Sequence, residues 1–419
     1  MIIGWILIVC ALLVAEEKFI KPPVVRGDIN SINNYVTNEL NEAYEQKRLG
    51  SASFTLVEKG KIVNEHTVGK GLNNATVQAD KTLFLLSSVS KAVTAWGVMK
   101  LVQEGELKLD DPVMLHLKRW RFAGSERYRD RVTVRHLLSH TSGLVDGYGQ
   151  GGTSLDEKLQ PVEESLNSPT DVNMGEAHAA IIVNEPGKVV AYSSNGYAVL
   201  QLLIEDITGK RFNDYMREEV IQPLGMLKSS YDVDAIITEG RLQDLATNYD
   251  LELQPYPIRH YSNMAGVSLR STSHDLAQLV MAYYNENSVL SKQTIQLMLM
   301  PQANTNKQWA LGHTLYTQQA NETYIVGHGG GAFPASGAEM RLSPATGNGI
   351  VILAAGTQGL ISDLADVWTY WETGHKLFDI RNVIRKRSVH ASILVIVGVV
   401  VILIWQNKRT KRKGIMQTI

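Results

Sequence analysis

The hydrophobic pattern of this chain is strand-like near its beginning, helical through its middle and strand-like again towards its end. Residues 52–58 and 62–69 are apolar or β-branched runs separated by Lys59-Gly60, which predicts a β-hairpin. From Ala92 the spacing lengthens. Apolar side chains at 92, 95, 96, 99 and 102 recur at helical intervals and predict a helix that begins near Ser88. Helical periodicity returns at 197–207 and at 276–284, the second preceded by Thr272-Ser273-His274-Asp275, a capping-box sequence. Strand-like runs resume at 309–316, 324–328, 338–342 and 349–354. Pattern alone supports a mixed α and β fold and no more.

Two segments at the ends follow another logic. Residues 2–15 are a 14-residue apolar run followed by Glu16-Glu17-Lys18, the length of an export-signal core and short for a membrane span. Residues 388–405 are an 18-residue stretch without formal charge. As a helix this would be about 27 Å long, enough to cross a bilayer. Arg381, Arg385, Lys386 and Arg387 precede it, and Lys408, Arg409, Lys411, Arg412 and Lys413 follow it, both read as membrane-interface anchors. The expected organisation is a signal peptide or N-terminal membrane segment at 1–16, a catalytic domain at 17–380, a transmembrane helix at 388–405 and a basic cytoplasmic tail at 406–419. That arrangement places the catalytic domain outside a cell membrane, held by a single C-terminal anchor. Cys10, the only cysteine, lies inside the first apolar run, so the exported domain would have no disulfide.

Composition narrows the function. With 419 residues, 44% of them hydrophobic and 20% charged, the chain can bury a large core and is not a disordered or repeat protein. A net charge of −1 gives no reason to expect a nucleic-acid partner. There is no phosphate-binding loop and no metal-spaced cluster of Cys and His, so neither a metal nor an organic cofactor is expected. Oligomeric state is not readable from these features.

The candidate chemistry starts at Ser88-Val89-Ser90-Lys91, the one S-x-x-K in the chain. On a helix, residues three apart share a face, so the Lys91 amine can reach the Ser88 hydroxyl. Serine attacks a carbonyl only when a partner takes its proton, and lysine can be that partner when burial disfavours its charged form. The apolar run after Lys91 provides such burial. Spacing by itself leaves open a helix N-terminus with a solvated lysine.

Phe84-Leu85-Leu86-Ser87-Ser88-Val89-Ser90-Lys91 and the segment from Arg131 through His136-Leu137-Leu138-Ser139-His140-Thr141-Ser142-Gly143-Leu144 together closely resemble class C serine β-lactamases, penicillin-binding DD-peptidases and related esterases. The resemblance extends over roughly residues 35 to 375. It implies an α/β (α+β) fold: an antiparallel sheet, built from early and late strands and flanked by helices, with a mainly helical subdomain inserted. It also points to a Y-x-N triplet, matched by Tyr192-Ser193-Ser194 after Pro186-Gly187, and to an H-x-G strand, matched by Gly327-His328-Gly329-Gly330-Gly331. Ser194 departs from the asparagine of that triplet, unless a one-residue slip brings in Asn195.

By this resemblance Ser88 is the nucleophile, and Lys91 and Tyr192 move the proton as a coupled pair. The N–H groups of Ser88 and Gly331 would form the oxyanion hole, and Ser194, His328 and Gly330 would contact substrate. A histidine at 328, largely neutral near pH 7, recognises a carboxylate less well than a lysine would. The expected activity is therefore hydrolysis, through an acyl-enzyme, of an amide or ester such as a D-amino-acid peptide or related cell-envelope substrate. Small peptides, esters or β-lactam-like molecules and the lipid bilayer are the expected partners. A true β-lactamase, a processing peptidase that releases a D-amino acid, and a catalytically silent penicillin-binding scaffold are the alternatives. His136 and His140 read as packing or capping residues, and His260 and His274 support no functional expectation. The polar loops 146–171 and 236–261 either shape substrate access or are ordinary surface connections.

Overall fold

The computed structural model describes residues 24–375, except 125, 146–148, 172–179, 320 and 333–335. The apolar segments 2–15 and 388–405, Cys10 and the basic tail lie outside the described residues. Among the described residues no helix is long and apolar enough to cross a membrane.

The predicted hairpin is formed by β1 (Ser51–Glu58) and β2 (Lys61–Gly69). Lys59 and Gly60 turn it with φ of 49° and 72°, the positive pair that a tight hairpin turn of matching twist requires. Four late strands complete the sheet: β3 (Thr314–Gln318), β4 (Tyr324–Ala332), β5 (Ser336–Ser343) and β6 (Asn348–Ala355). Their order is β3-β4-β5-β6-β1-β2, antiparallel throughout, so the late strands close onto the early hairpin where Ser51 pairs with Ala355. The interior strand β1 is buried from Ser51 to Val57, whereas the edge strand β2 is mostly half-buried or exposed.

Two of the strand boundaries differ from the periodicity. The run at 309–316 becomes a strand only from Thr314, because Gly312 adopts φ of 78° and Trp309 bridges back to Thr314 in a tight turn. Strand β4 runs on to Ala332 through a glycine tract that carries no apolar signal. The helical region between the two halves of the sheet includes α2 (Ser90–Gln103) and α3 (Asn195–Thr208), with α1 (Ile29–Glu45) before the first strand. Then come the single turn α4 (Met264–Val267), α5 (Ser273–Ala282) and finally α6 (Leu360–Thr373).

Side-chain alternation assigns the two faces of the sheet. Ser53 and Thr55 point to α5, where both hydroxyls meet Ser273 Oγ at 2.6 and 2.8 Å. On the opposite face Arg341 of β5 reaches Asp366 and Thr369 of α6, and Trp371 Nε1 of α6 donates to Asp28 O at the start of α1 (2.9 Å). Helix α2 is buried from Ser90 to Met99 on every side, because it is enclosed between the sheet and the helical region and does not lie on a surface.

The capping box expected at 272–275 is half realised. Thr272 Oγ1 accepts from Asp275 N, but the Asp275 carboxylate turns away to accept from Lys228 N, Ser229 N and Ser229 Oγ at 2.8 to 2.9 Å. The two polar loops meet each other: Gly152–Ser154 pairs with Arg259–Tyr261 in a short antiparallel ladder.

Candidate active site

The Ser88 hydroxyl is presented by a single 3-10 turn, Ser87–Val89, that leads into α2. Ser87 has φ of 49°, a left-handed conformation that serine occupies at a cost of about 1 kcal/mol. Position 88 is half-buried and open enough to meet a ligand. Lys91 is fully buried, 0% exposed, with Nζ 3.1 Å from Ser88 Oγ and 2.8 Å from Gly266 O of α4. The i, i+3 geometry expected from the sequence is present, and a carbonyl that the sequence did not reveal fixes the amine from its other side.

Tyr192 lies over this pair, 44% exposed, with its ring centroid 5.1 Å from Lys91 Nζ. Beneath it the His140 ring stacks at 4.4 Å, and Trp309 stands edge-on to His140 at 4.6 Å. His140 sits at φ of 58° and its Nδ1 accepts from Ser193 N (3.2 Å), so the chain on either side of Tyr192 is held by the residue under its ring. His136 serves its own helix instead. Thr133 N donates to His136 Nδ1 (3.2 Å) and His136 N donates to Thr133 Oγ1 (3.3 Å), a reciprocal cap.

His328 enters from β4 and is 3% exposed. Its Nδ1–H donates to Gly329 O at 2.6 Å, which leaves Nε2 unprotonated and, among the described residues, buried without a partner. Burial first, and then Lys91 when it carries its proton, pushes the pKa of His328 down to about 3. His140 is pushed well below the usual histidine range by burial, with Lys91 and His328 adding to the effect. Both rings are neutral at ordinary pH, so the site contains no imidazolium.

Glycine at 330 is required by contact. A Cβ there would stand 2.2 Å from Leu86 O and 3.1 Å from both Ser88 N and Val89 N, so β4 is pressed against the nucleophile turn. At Gly331, the next residue, a Cβ would meet, among the described residues, only Ser336 O, at 3.7 Å. Ser194 is 8% exposed at the start of α3, and its carbonyl accepts from Asn263 Nδ2 (2.9 Å). Asn195 is 2% exposed in the first turn of that helix.

The fold therefore gathers Ser88, Lys91, Tyr192, His328 and Gly330 around one centre, with Gly331 following Gly330 on β4 and Ser194 behind it. His140, Trp309, Asn263 and Gly266 belong to the same constellation, and sequence reasoning gave them no part in it. His140 carried a signal, being inside the 131–144 segment. Asn263 and Gly266 come from the single turn α4 and its cap, and Trp309 from the turn before β3, and nothing in their sequences marks them.

The arrangement has counterparts. The Beta-lactamase family model matches residues 36–373. The chain is 28% identical over 222 residues to Penicillin-binding protein 4* of Bacillus subtilis (strain 168), an alignment covering 53% of this chain and 43% of that protein. The chain thus spans less than half the length of that relative. Among solved structures, the octameric penicillin-binding protein homologue from Pyrococcus abyssi aligns with a TM-score of 0.63 and 23% identity, over 82% of this chain and 76% of that one. The D-alanine carboxypeptidase AmpC from Burkholderia cenocepacia aligns with a TM-score of 0.60 and 18% identity, over 82% of this chain and 99% of that one. At these identities the structural neighbours establish the fold alone, whereas the family match spans the whole sheet and every motif of the site. This chain belongs to the beta-lactamase family.

Proposed function

We propose that the chain is a serine hydrolase that cleaves an amide or ester through an acyl-enzyme, and that it works outside the cell while anchored to the membrane. The observation that carries the chemistry is the buried Lys91 amine 3.1 Å from a half-exposed Ser88 hydroxyl. Ser88 Oγ attacks the substrate carbonyl carbon while its proton passes to Lys91 Nζ, Tyr192 sharing the transfer. The charge that develops on the carbonyl oxygen is met by the N–H groups of Ser88 and Gly331. Collapse of the tetrahedral intermediate expels an amine or alcohol, which takes the proton back, and water then hydrolyses the Ser88 ester.

Neutral His328 offers no cation to a substrate carboxylate, which favours substrates less anionic than a penicillin at the reacting end. Family membership and the name of the Bacillus relative support a D-amino-acid peptide or related cell-envelope substrate. In this reading Gly330 and Ser194 help shape the substrate cleft, and His328 acts from behind the Tyr192 ring. The membrane assignment rests on the uncharged stretch 388–405 and the basic residues on both sides of it.

Intact-mass detection of a fluorophosphonate adduct on the full chain in detergent tests the chemistry. Labelling should occur at one site and disappear in Ser88→Ala. A folded wild-type chain that stays unlabelled would overturn the mechanism and promote the scaffold alternative.

A further inference from the structure

We infer that Asn263 is a positioning residue that holds both members of the proton-transfer pair from one buried amide. The inference rests on the proposed roles of Ser88, Lys91 and Tyr192. Asn263 is 1% exposed, and both donors and the acceptor oxygen of its side chain are engaged. Oδ1 accepts from Gly266 N at 2.9 Å, and the two Nδ2 hydrogens go to Ser194 O at 2.9 Å and Gln150 Oε1 at 2.7 Å.

Each bond leads to a different part of the chemistry. Gly266 O is the acceptor 2.8 Å from Lys91 Nζ. An unprotonated amine has two N–H bonds and one lone pair, so a carbonyl that holds one N–H leaves the lone pair available to meet the Ser88 hydroxyl. Asn263 steadies that carbonyl by gripping the N–H of the same residue. A Cβ on Gly266 would come within 2.7 Å of Asn263 Oδ1, which explains the glycine there. The Ser194 bond holds the chain two residues after Tyr192, at the point where it enters α3. The Gln150 bond ties in the loop beside it, and Asn263 N returns a bond to Gln150 O (3.1 Å).

A simple N-cap of α4 would need only Oδ1. The two Nδ2 bonds have no capping purpose, and they join Ser194 to the turn that orients Lys91. Asn263→Ser separates these roles, because serine can keep the cap acceptor but has no amide hydrogens to give.

The test measures second-order fluorophosphonate labelling of the full chain in detergent, against pH, alongside thermal melts. Asn263→Ser should label roughly 10- to 100-fold more slowly, as expected when a reacting group is misplaced by about 1 Å. The midpoint of its pH–rate profile should also move by about half a unit or more, because the environment of the base has changed. In a Tyr192→Phe background the same substitution should cost markedly less, since the two share one function. Should the serine variant melt below the assay temperature, Asn263→Asp keeps the acceptor, loses both donors and is read in the same way. Labelling within about twofold of wild type would leave Asn263 as a cap and overturn the inference, and so would an undiminished effect in the Tyr192→Phe background. Persistent labelling of Ser88→Ala would instead sink the Ser88 mechanism, so the two failures are distinguishable.

Discussion

Two adjacent glycines do opposite work at the nucleophile. Gly330 has no room for a methyl group, with Leu86 O closer than real Cβ contacts allow and Ser88 N and Val89 N tight against it, whereas a methyl at Gly331 would meet, among the described residues, only Ser336 O at ordinary contact distance. Gly330→Ala should therefore push β4 off the nucleophile turn and lower the labelling rate about 100-fold, while Gly331→Ala, which keeps the backbone N–H, should stay within about threefold of wild type. Equal losses in the two variants would show that the contact at 330 does not set the geometry. At this scale the sequence was informative wherever the chemistry is local. Ser88 and Lys91 meet because they are three residues apart on one helical start, and that much could be read directly. Asn263, Gly266 and Trp309 could not be read, since each reaches the site by a chain crossing that leaves no periodic trace. His328 illustrates a subtler gap. Its place in the motif was legible, but its enclosure behind Tyr192 and Trp309, which sets its charge, comes only from the packing.

Elements were legible where burial has a single period. The β1–β2 hairpin, α3, β5 and β6 follow their patterns to within two residues, because each presents its apolar set to one packed environment. Helix α2 departs from this, since it is enclosed all round and its five spaced apolar positions understate what is buried. At α5, sequence showed a cap but not a clamp. The Asp275 carboxylate serves Lys228 N, Ser229 N and Ser229 Oγ, joining the helix to a loop that precedes it by more than a complete helix length. Asp275→Ala would leave these buried donors without their acceptor, a loss of about 3 kcal/mol, against about 1 kcal/mol for Thr272→Ala at the cap itself. Urea unfolding of the two variants checks the ranking, and a Thr272→Ala loss larger than that of Asp275→Ala would show that the clamp is incidental.

Across the whole molecule, buried neutral histidines make stability a function of acidity. His328 has its pKa pushed down to about 3 and His313 to about 4, in both cases chiefly by burial. In the unfolded chain each would titrate near its ordinary value of about 6.5. The stabilisation is thus complete above about pH 6.5 and is lost as pH falls from there towards the folded-state values, because the unfolded chain binds protons that the folded one refuses. At pH 5 each of the two costs about 2 kcal/mol. The urea midpoint should fall steadily from pH 7 to pH 4, with a shallower slope in His328→Gln. A parallel slope in that variant would mean that its imidazole is not the group being titrated.

The sheet order has a consequence in time as well as in space. Ser88 and Lys91 leave the ribosome early, but the strand that presses Gly330 against them, and the β6 partner that holds β1 through Ser51 and Ala355, are among the last described parts to be made. A nascent chain therefore carries its nucleophile through most of synthesis without the wall that completes the cleft. Reactivity becomes a certificate of completion: a polypeptide stalled before β6 should remain inert towards acylating probes, and hydrolysis can begin only once the two ends of the fold have met.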